Sequence, residues 1–307
     1  MVNAANRLKL GIILPVAEYF MDGETPRWSD LLAMTRTAEE VGFDSVWIVD
    51  HLIVAQEGRE TIGVWECWSL LSALAATTST IELGTLVSCS SFRHPALLAK
   101  MAETVDEISA GRLILGLGAG HHDPEYRAFG FPWDHRVGRF EEALQIAHPL
   151  LRTGHADYRG KFHAAQDCVL RPRGPRPGGP PIMIGTTGER MLRLTARYAD
   201  AWNVYYSANQ NRASRIPAVR DQVDAACRAE GRDPATLERT AAVLVNPSGL
   251  KMRRERPDWI LSGAADEIAE EFLAYHREGI SHLQIRVEPN TVEGIEALEP
   301  VVRMLRV

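Results

Sequence analysis

The sequence predicts an α/β fold, a (β/α)8 TIM barrel, from three observations. Short apolar runs alternate eight times with longer segments in which apolar residues recur every three or four positions. Most of these runs are continuously apolar, as in a parallel sheet that helices cover. No linker or shift in composition marks a second domain, so we expect residues 1–307 to form one domain. Eight such units close naturally into a barrel, and an open doubly wound sheet is the alternative.

The individual elements follow from local patterns, taken in chain order. The run LKLGIIL at 8–14 predicts the first strand, and Pro15 closes it. Apolar residues three and four positions apart then predict an amphipathic helix over 29–41, which Gly42 ends. The third helix begins at Pro95, because proline is favoured in a first helical turn. The same patterns predict further strands at 45–49, 81–87, 113–117, 181–184, 201–204, 241–245 and 282–287, and further helices at 65–78, 137–151, 189–198, 213–229, 265–277 and 292–305.

The composition restricts the classes of function. The chain of 307 residues has a formal net charge of −6, and 45% of its residues are hydrophobic. An acidic balance without a basic face argues against nucleic-acid binding. The start of the chain lacks an apolar core of signal-peptide length, and no run is long enough to span a bilayer, so we expect a cytoplasmic protein. The four cysteines have no CxxC or zinc spacing, which favours reduced and mostly buried thiols.

Two long segments depart from the plain alternation. The segment 153–179 is an insertion between the fourth helix and the fifth strand, and its RPRGPRPGG stretch is too rich in proline and glycine for a helix. The segment 246–263 follows the seventh strand and carries Lys251, Arg253, Arg254 and Arg256. Such a charge run is more often a solvated surface, and attraction of a phosphate is the alternative.

The turn 185–188, Gly-Thr-Thr-Gly, joins the fifth strand to the helix that follows it. In a parallel barrel, the residues after each strand converge on one face. Backbone amides at a helix N-terminus favour an anion, and small residues let it approach, so this turn suits a phosphate. A tight turn with a threonine cap is an equal alternative.

The fourth strand ends in Gly116-Leu117-Gly118-Ala119-Gly120. The spacing is GxGxG instead of GxGxxG, and no helix is predicted directly after it, so it does not indicate a Rossmann site. Glycines at a strand end let a flat ring lie close against the backbone, which suits a tricyclic cofactor. Glycines that serve a bulge or the packing of the barrel are the alternative.

Polar residues follow the second and fourth strands. Asp50 and His51 end the run SVWIV, where an imidazole at the barrel mouth can hold or transfer a proton. A capping aspartate and an exposed histidine are the alternative. His121, His122 and Asp123 lack the spacing of a metal site, so no metal is expected. Neither a GxSxG nor a Walker sequence is present, so nothing supports acyl transfer or P-loop chemistry.

Taken in order, these segments resemble the luciferase-like monooxygenase superfamily, and in particular its deazaflavin-dependent oxidoreductases. The resemblance runs from about the second strand to the sixth, and the last third of the chain fits in architecture only. It is carried by Val49-Asp50-His51, Leu83 to Val87, Phe92-Arg93-His94-Pro95, Gly111-Arg112-Leu113 with Gly116 to Gly120, Pro181 to Gly188, and Tyr198 to Asn203. Each segment alone is weak, but their ordered occurrence together is specific to the superfamily.

The resemblance implies a luciferase-like barrel, usually a homodimer, with an insertion before the fifth strand. It implies a non-proline cis peptide at Leu86-Val87 or Val87-Ser88, which would press against the central ring of a flavin-like cofactor. The turn 185–188 would hold the cofactor phosphate, and Trp202 to Val204 would lie beside the ribityl chain. The cofactor-binding residues that it implies are Asp50, Leu86, Val87, Ser88, Ala119, Gly120, Gly185, Thr186, Thr187, Gly188, Asn203 and Val204.

His51 matches the histidine that, in the deazaflavin dehydrogenases, lies over the reactive carbon and assists proton movement during hydride transfer. Several of these enzymes have a glutamate acid just after the glycines of the fourth strand. This chain has His121 at that position, and we expect either that His121 replaces the acid or that the site catalyses another hydride transfer. The sugar-phosphate dehydrogenase of the group has a tryptophan shortly after its Asp-His pair. This chain has none in Leu52 to Gln56, which argues against a sugar-phosphate substrate.

The superfamily uses either FMN, often with oxygen, or coenzyme F-420, an 8-hydroxy-5-deazaflavin. The Asp-His pair, with the RLILGLGAG and GTTG segments, favours F-420, so the resemblance implies hydride transfer between F-420 and a small organic substrate. An FMN monooxygenase that receives reduced flavin from a partner reductase is one alternative, and a non-catalytic flavin-binding barrel is another. We expect Glu18, Tyr19 and Phe20 to line the substrate pocket, with surface packing as the alternative.

Overall fold

Eight parallel strands close into a barrel, as predicted. The structure, a computed structural model, describes residues 7–247, 250–251 and 258–306. Strands that are consecutive in the chain pair in parallel, and the last strand pairs with the first, so the sheet closes on itself. The strands are β1 (Lys9–Ile13), β2 (Ser45–Ile48), β3 (Glu82–Thr85), β4 (Leu113–Gly118), β5 (Ile182–Gly185), β6 (Ala201–Val204), β7 (Glu238–Pro247) and β8 (His282–Val287).

Helices separate the strands along the chain. Nearly every predicted helix is present within a few residues of its predicted bounds, because the apolar stripes that predict the helices are the faces that they bury. The helices are α1 (Trp28–Val41), α2 (Cys67–Thr77), α3 (Pro95–Ile108), α4 (Asp123–Phe129), α5 (Arg136–Thr153), α6 (Glu189–Tyr198), α7 (Ile216–Ala229), α8 (Ala265–Arg277), α9 (Val292–Glu296) and α10 (Glu299–Met304).

Two helical segments differ from the prediction. The predicted helix 292–305 is divided into α9 and α10, because Pro300 in the first turn of α10 has no N–H to donate to the preceding turn. The short helix α4 was not predicted. Pro124 and acidic residues occupy its first turn and a left-handed Gly130 ends it, which are ordinary helix-boundary signals.

The barrel interior is filled around Trp47, which is fully buried. A Cβ at Gly11 would lie 2.5 Å from Trp47 Nε1, and one at Gly84 would lie 2.3 Å from the six-membered ring, so both glycines make room for the indole. Trp47 Nε1 donates to Ser45 Oγ at 2.7 Å, and Ser45 Oγ lies 2.8 Å from His282 Nε2. These three buried side chains therefore satisfy one another's hydrogen-bonding groups.

The segment between α5 and β5 contains an antiparallel hairpin of His155–Arg159 and Ala164–Val169. The chain then runs without a helix through the RPRGPRPGG stretch. Two arginines of this stretch bind carboxylates of α3, Arg173 to Glu103 and Arg176 to Asp106, and so fasten the segment to the barrel.

The segment 246–263 contains a short strand, Leu261–Gly263, that pairs with β7. The predicted basic residues Arg253, Arg254 and Arg256 lie outside the described residues. Within the part of the chain that the structure describes, no helix combines the length and apolarity needed to cross a membrane.

Candidate active site

A cleft of about 590 Å³ opens at the carboxyl ends of β2 to β6. The predicted site residues come from five different strand ends, and the closed barrel brings most of them onto this one face. The predicted residues on its wall are Asp50, His51, Leu86, Val87, Ala119, Gly120, His121, Gly185, Thr186, Thr187 and Asn203.

Three other predicted residues lie off this wall. Ser88 is fully buried, and its hydroxyl donates to Asp50 Oδ2 and accepts from Trp68 Nε1. Gly188 is the exposed residue before α6, and Val204 is buried. Ser88 and Gly188 have hydrogen-bond partners within the protein, and the contacts of all three residues with a cofactor stay predictions.

His51 lies between the cleft and a buried carboxylate. Its Nδ1 is 3.0 Å from Glu125 Oε1, and Glu125 Oε2 also accepts from the Leu52 backbone amide at 2.9 Å. The Glu125 side chain is 2% exposed, whereas His51 is 23% exposed. The buried Glu125 carboxylate is therefore the hydrogen-bond acceptor for an imidazole that reaches the cleft.

Two further histidines extend this cluster. The His121 ring stands edge-to-face against His51, with 5.1 Å between the ring centroids. Desolvation by the cleft walls, and then the neighbouring His51, lower the pKa of His121, although its side chain also reaches solvent. His121 is thus neutral near pH 7 and can donate or accept a proton. His122 accepts the Ala55 amide through Nε2 at 3.0 Å, which ties the start of α4 to the loop after β2.

The partners of these histidines lie within the protein. Among the described residues, no group of three or more His, Cys, Asp or Glu side chains is arranged to hold a metal ion. Two of the rings have hydrogen-bond partners in the protein, Glu125 for His51 and the Ala55 amide for His122, and the His121 ring lies against His51. The cluster is therefore arranged for hydrogen bonding and proton handling.

Asp50 lies on the wall of the cleft, but its carboxylate accepts hydrogen bonds from groups inside the protein. Arg93 donates to both of its oxygens, at 2.6 and 3.1 Å, and Ser88 and the Cys89 amide donate to Oδ2. Both charged side chains are almost completely buried. This pair joins the end of β2 to the segment after β3, and so fixes the positions of the neighbouring His51 and Val87.

Val87 forms part of the cleft wall between β4 and β5. The Leu86–Val87 peptide is cis, which confirms the sequence prediction. A Cβ at Gly118 would lie 2.6 Å from Val87 Cγ2, and one at Gly185 would lie 3.1 Å from Val87 Cγ1, so both glycines make room for this side chain. Gly116 differs, because a Cβ there would lie 1.8 Å from the Thr85 carbonyl oxygen. Gly116 therefore serves barrel packing, the alternative that the sequence left open.

Gly120 makes room for a buried tyrosine. A Cβ at this residue would lie 1.9 Å from Tyr126 Oη, and Tyr126 donates to the Ala119 carbonyl at 3.1 Å. The same hydroxyl lies 3.0 Å from Cys89 Sγ. Burial raises the pKa of the Cys89 thiol to about 11, so this cleft residue stays protonated and is not a nucleophile.

The turn 185–188 shows features of both sequence interpretations. Gly188 donates its amide to Thr186 Oγ1 at 3.2 Å, which is the local bond of a capped turn. The Thr186 carbonyl accepts from Trp202 Nε1 at 2.7 Å, which fixes the turn against β6. Thr186 and Thr187 also line the cleft, directly before the first turn of α6. Since the first amides of a helix have no partner within it, the turn suits an anion as well.

Asn203 is oriented by the barrel interior. Its Nδ2 donates to Thr240 Oγ1 at 2.8 Å and to Gln284 Oε1 at 2.7 Å. Both amide hydrogens are therefore used inside the protein. Only Oδ1 is left to accept a hydrogen bond from a molecule in the cleft.

Two charged residues of the cleft wall, Glu125 and Arg136, were missed by the sequence reasoning. Glu125 lies in the unpredicted helix α4, four residues after the position at which a family acid was sought. Arg136 is the first residue of α5; its Nη1 donates to the Gly120 carbonyl at 2.6 Å, and its guanidinium lies 3.7 Å from the centre of the Trp133 ring. No sequence pattern singles out Arg136, because its position depends on how α5 enters the barrel mouth.

The predicted substrate-pocket residues after β1 are not on the wall of this cleft. Glu18 exchanges hydrogen bonds with Gly63, and so holds the small hairpin of Ile53–Val54 and Ile62–Gly63. Phe20 packs under Arg286, with 4.8 Å between the guanidinium carbon and the ring centre. Tyr19 is exposed. For Glu18 and Phe20, the packing alternative describes what the structure shows.

Sequence comparison identifies a protein family that matches most of the chain. The family described as luciferase-like monooxygenase matches residues 8–248. A 5,10-methylenetetrahydromethanopterin reductase of Archaeoglobus fulgidus is 30% identical over 215 residues, which are 70% of this chain and 59% of the reductase. An F-420-dependent glucose-6-phosphate dehydrogenase of Beutenbergia cavernae is 28% identical over 300 residues, covering 83% of this chain and 86% of that protein. The chain thus spans about three fifths of the reductase and most of the dehydrogenase.

Solved structures share the fold. An F-420-dependent secondary alcohol dehydrogenase in complex with an F-420–acetone adduct superposes with a TM-score of 0.81 at 19% identity, covering 98% of this chain and 100% of that one. The oxygenating constituent of 3,6-diketocamphane monooxygenase from Pseudomonas putida, in complex with FMN, gives 0.74 at 17% identity, covering 97% and 98%. At these identities the comparison shows the luciferase-like barrel and nothing finer.

Proposed function

Since the chain belongs to the luciferase-like monooxygenase family, we propose that it transfers a hydride between coenzyme F-420 and a small organic substrate. The chain is a luciferase-like oxidoreductase, and two of the similar proteins named above are F-420-dependent. The observation that carries the proposal is that His51 and the Val87 wall belong to one cleft at the strand ends. This cleft has the volume of a typical cofactor pocket.

The residues of the cleft fit a flat ring with an anionic chain. Val87, seated between two strand-end glycines, gives a ring an apolar surface to lie against. Thr186 and Thr187 before α6 suit the phosphate, and Arg136 adds a positive charge to the same wall. Asn203 Oδ1 is the acceptor left for the hydroxyl groups of a ribityl chain.

The residues of this chain position the cofactor and the substrate, and they move protons. When bound, F-420 supplies the hydride chemistry at C5 of its ring. His51 holds the proton that leaves or joins the substrate oxygen, since its ring reaches the cleft and an imidazole nitrogen can accept or donate a proton. His121, neutral near pH 7, lies against His51 and can take that same proton on from His51 or return it. The Asp50–Arg93 pair keeps the end of β2 rigid beneath them.

Fluorescence titration of the purified chain with F-420 and, separately, with FMN tests the cofactor. We expect saturable F-420 binding and weak FMN binding. Tight binding of FMN with no response to F-420 would overturn the assignment. Oxygen uptake that depends on FMN and substrate would instead support the monooxygenase alternative, in which a partner reductase supplies reduced flavin.

A second experiment tests catalysis. Mixing the chain with reduced F-420 and a set of ketones, aldehydes and imines should give oxidation of the deazaflavin, seen as recovery of its absorbance, with at least one acceptor. Bound reduced F-420 that reacts with none of them, or oxidised F-420 that reacts with none of the matching alcohols or amines, would indicate a non-catalytic binding barrel.

A further inference from the structure

The His51 imidazole and the Glu125 carboxylate form a pair whose chemistry determines where the imidazole protons lie. Nδ1 is 3.0 Å from Oε1 and 3.3 Å from Oε2 of the carboxylate. The carboxylate also accepts from the Leu52 amide at 2.9 Å. A carboxylate accepts hydrogen bonds and donates none, so Nδ1 must carry a hydrogen.

We propose that Glu125 is a positioning residue that holds His51 as the Nδ1–H tautomer and leaves the Nε2 lone pair for the cleft. In a neutral imidazole only one nitrogen carries hydrogen, so a donor at Nδ1 makes Nε2 an acceptor. The catalytic use of that acceptor rests on the proposed function. The tautomer itself is a property of the protein alone.

The position of Glu125 is fixed from several sides. Its side chain is 2% exposed, and a buried carboxylate is costly unless it is hydrogen-bonded. The helix that carries it is tied to the loop after β2 at two backbone amides, since Leu52 donates to Glu125 and Ala55 donates to His122. The loop that carries His51 and the helix that carries Glu125 are therefore fixed relative to each other, and this fixes the orientation of the imidazole.

His121 also contacts the imidazole ring of His51. Its edge-to-face contact with His51, at 5.1 Å between centroids, leaves the imidazole between a carboxylate and a second ring. A ring rotation that turned Nδ1 away from the carboxylate would break the hydrogen bond to Glu125. The observed arrangement therefore favours one ring orientation as well as one tautomer.

Nitrogen-15 NMR of the histidine-labelled protein, without cofactor or substrate, tests the tautomer directly. His51 is assigned by the resonance that disappears in His51→Gln. In the unmodified protein above neutral pH, we expect Nδ1 to give the protonated shift and Nε2 the unprotonated shift. The reverse assignment in the unmodified protein would overturn the proposal, and this result needs no variant of Glu125 to fold.

Glu125→Gln tests the cause. The glutamine has one acceptor oxygen for two donors, so its NH2 group must face either the Leu52 amide or Nδ1, and the Nε2–H tautomer of His51 should become populated. Asp123→Asn is the matched control, because Asp123 lies in the same first turn of α4 and pairs with Arg127. An unchanged His51 tautomer in Glu125→Gln, or an equal change in Asp123→Asn, would contradict the role of Glu125.

The kinetic readout separates this inference from the proposed function. With a reactive substrate, Glu125→Gln should lower the rate of hydride transfer about tenfold or more, and should leave the dissociation constant of F-420 within a few fold. If the protein binds no F-420, the proposed function fails while the NMR result still decides the tautomer. If turnover is normal in Glu125→Gln with a changed tautomer, the positioning role is refuted and the proposed function stands.

Discussion

Nδ1 of His51 lies 3.0 Å from Oε1 of Glu125, although the two residues are 74 positions apart in the sequence. The contact joins the loop after β2 to the short helix α4 and places an imidazole at the cleft with a carboxylate behind it. The same two segments are joined again through Ala55 and His122. This contact gives the proposed proton-handling residue a fixed orientation.

Replacement of His51 by alanine should slow hydride transfer about a hundredfold, because the substrate oxygen loses its proton partner. The affinity for F-420 should stay within a few fold, since the turn 185–188 and Val87 are untouched. Single-turnover absorbance measures the first quantity and fluorescence titration the second. Unchanged turnover would remove His51 from the mechanism.

Gly118→Ala should raise the dissociation constant of F-420 about tenfold, because the new Cβ would lie 2.6 Å from Val87 Cγ2 and push that side chain towards the cofactor. Val87→Ala in the same chain frees the space and should restore part of the affinity. Gly178→Ala is the control, because no atom lies within 4 Å of a Cβ there. Equal affinities in Gly118→Ala and Gly178→Ala would show that Val87 does not form the wall against which the ring lies.

Arg93→Ala should lower the free energy of unfolding by roughly 3 kcal/mol, because the Asp50 carboxylate is left buried without its charged partner. Arg193→Ala removes an exposed pair with Glu189 and should cost less than about 1 kcal/mol. Urea unfolding of both variants measures the difference. A cost for Arg93→Ala no larger than that for Arg193→Ala would contradict the structural role given to the pair.

His282 should make stability depend on pH. Burial lowers the pKa of His282 to about 3 from its ordinary value of 6.5. The folded state therefore keeps a neutral ring where the unfolded chain takes up a proton, so stability present above pH 6.5 is lost as the pH falls towards 3. The slope is at most about 1.4 kcal/mol per pH unit.

His282→Gln keeps a hydrogen-bonding side chain near Ser45 but does not titrate. Between pH 7.5 and 5.0 the unmodified protein should lose about 2 kcal/mol more of its unfolding free energy than this variant. Other titrating groups contribute equally to both proteins and cancel. Parallel pH dependences in urea unfolding would show that His282 does not stay neutral in the folded state.

The sequence predicted the barrel and much of the cleft for a physical reason. Apolar runs and amphipathic stripes depend on local periodicity, and a closed parallel sheet then places residues after each strand on one face. Asp50, His51 and Gly185 could be assigned to that face from their positions in the chain alone. The resemblance added the cis peptide before Val87, which no periodicity indicates.

The remaining features depend on contacts between distant side chains. The pairing of Asp50 with Arg93 spans 43 positions and directs a predicted cofactor residue into the protein. The carboxylate that the family pattern places just after the glycines of β4 was expected to be replaced by His121, whereas Glu125 of α4 reaches His51 from four positions further on. Boundary signals could have predicted α4, but only the packed structure shows where its first turn points.

A crystal structure of the chain with F-420 bound tests the central claim most directly. We expect the deazaflavin ring against Val87 with C5 facing His51, and the phosphate at the backbone amides of 185–188. A ring bound elsewhere, or a phosphate held away from the start of α6, would contradict the account.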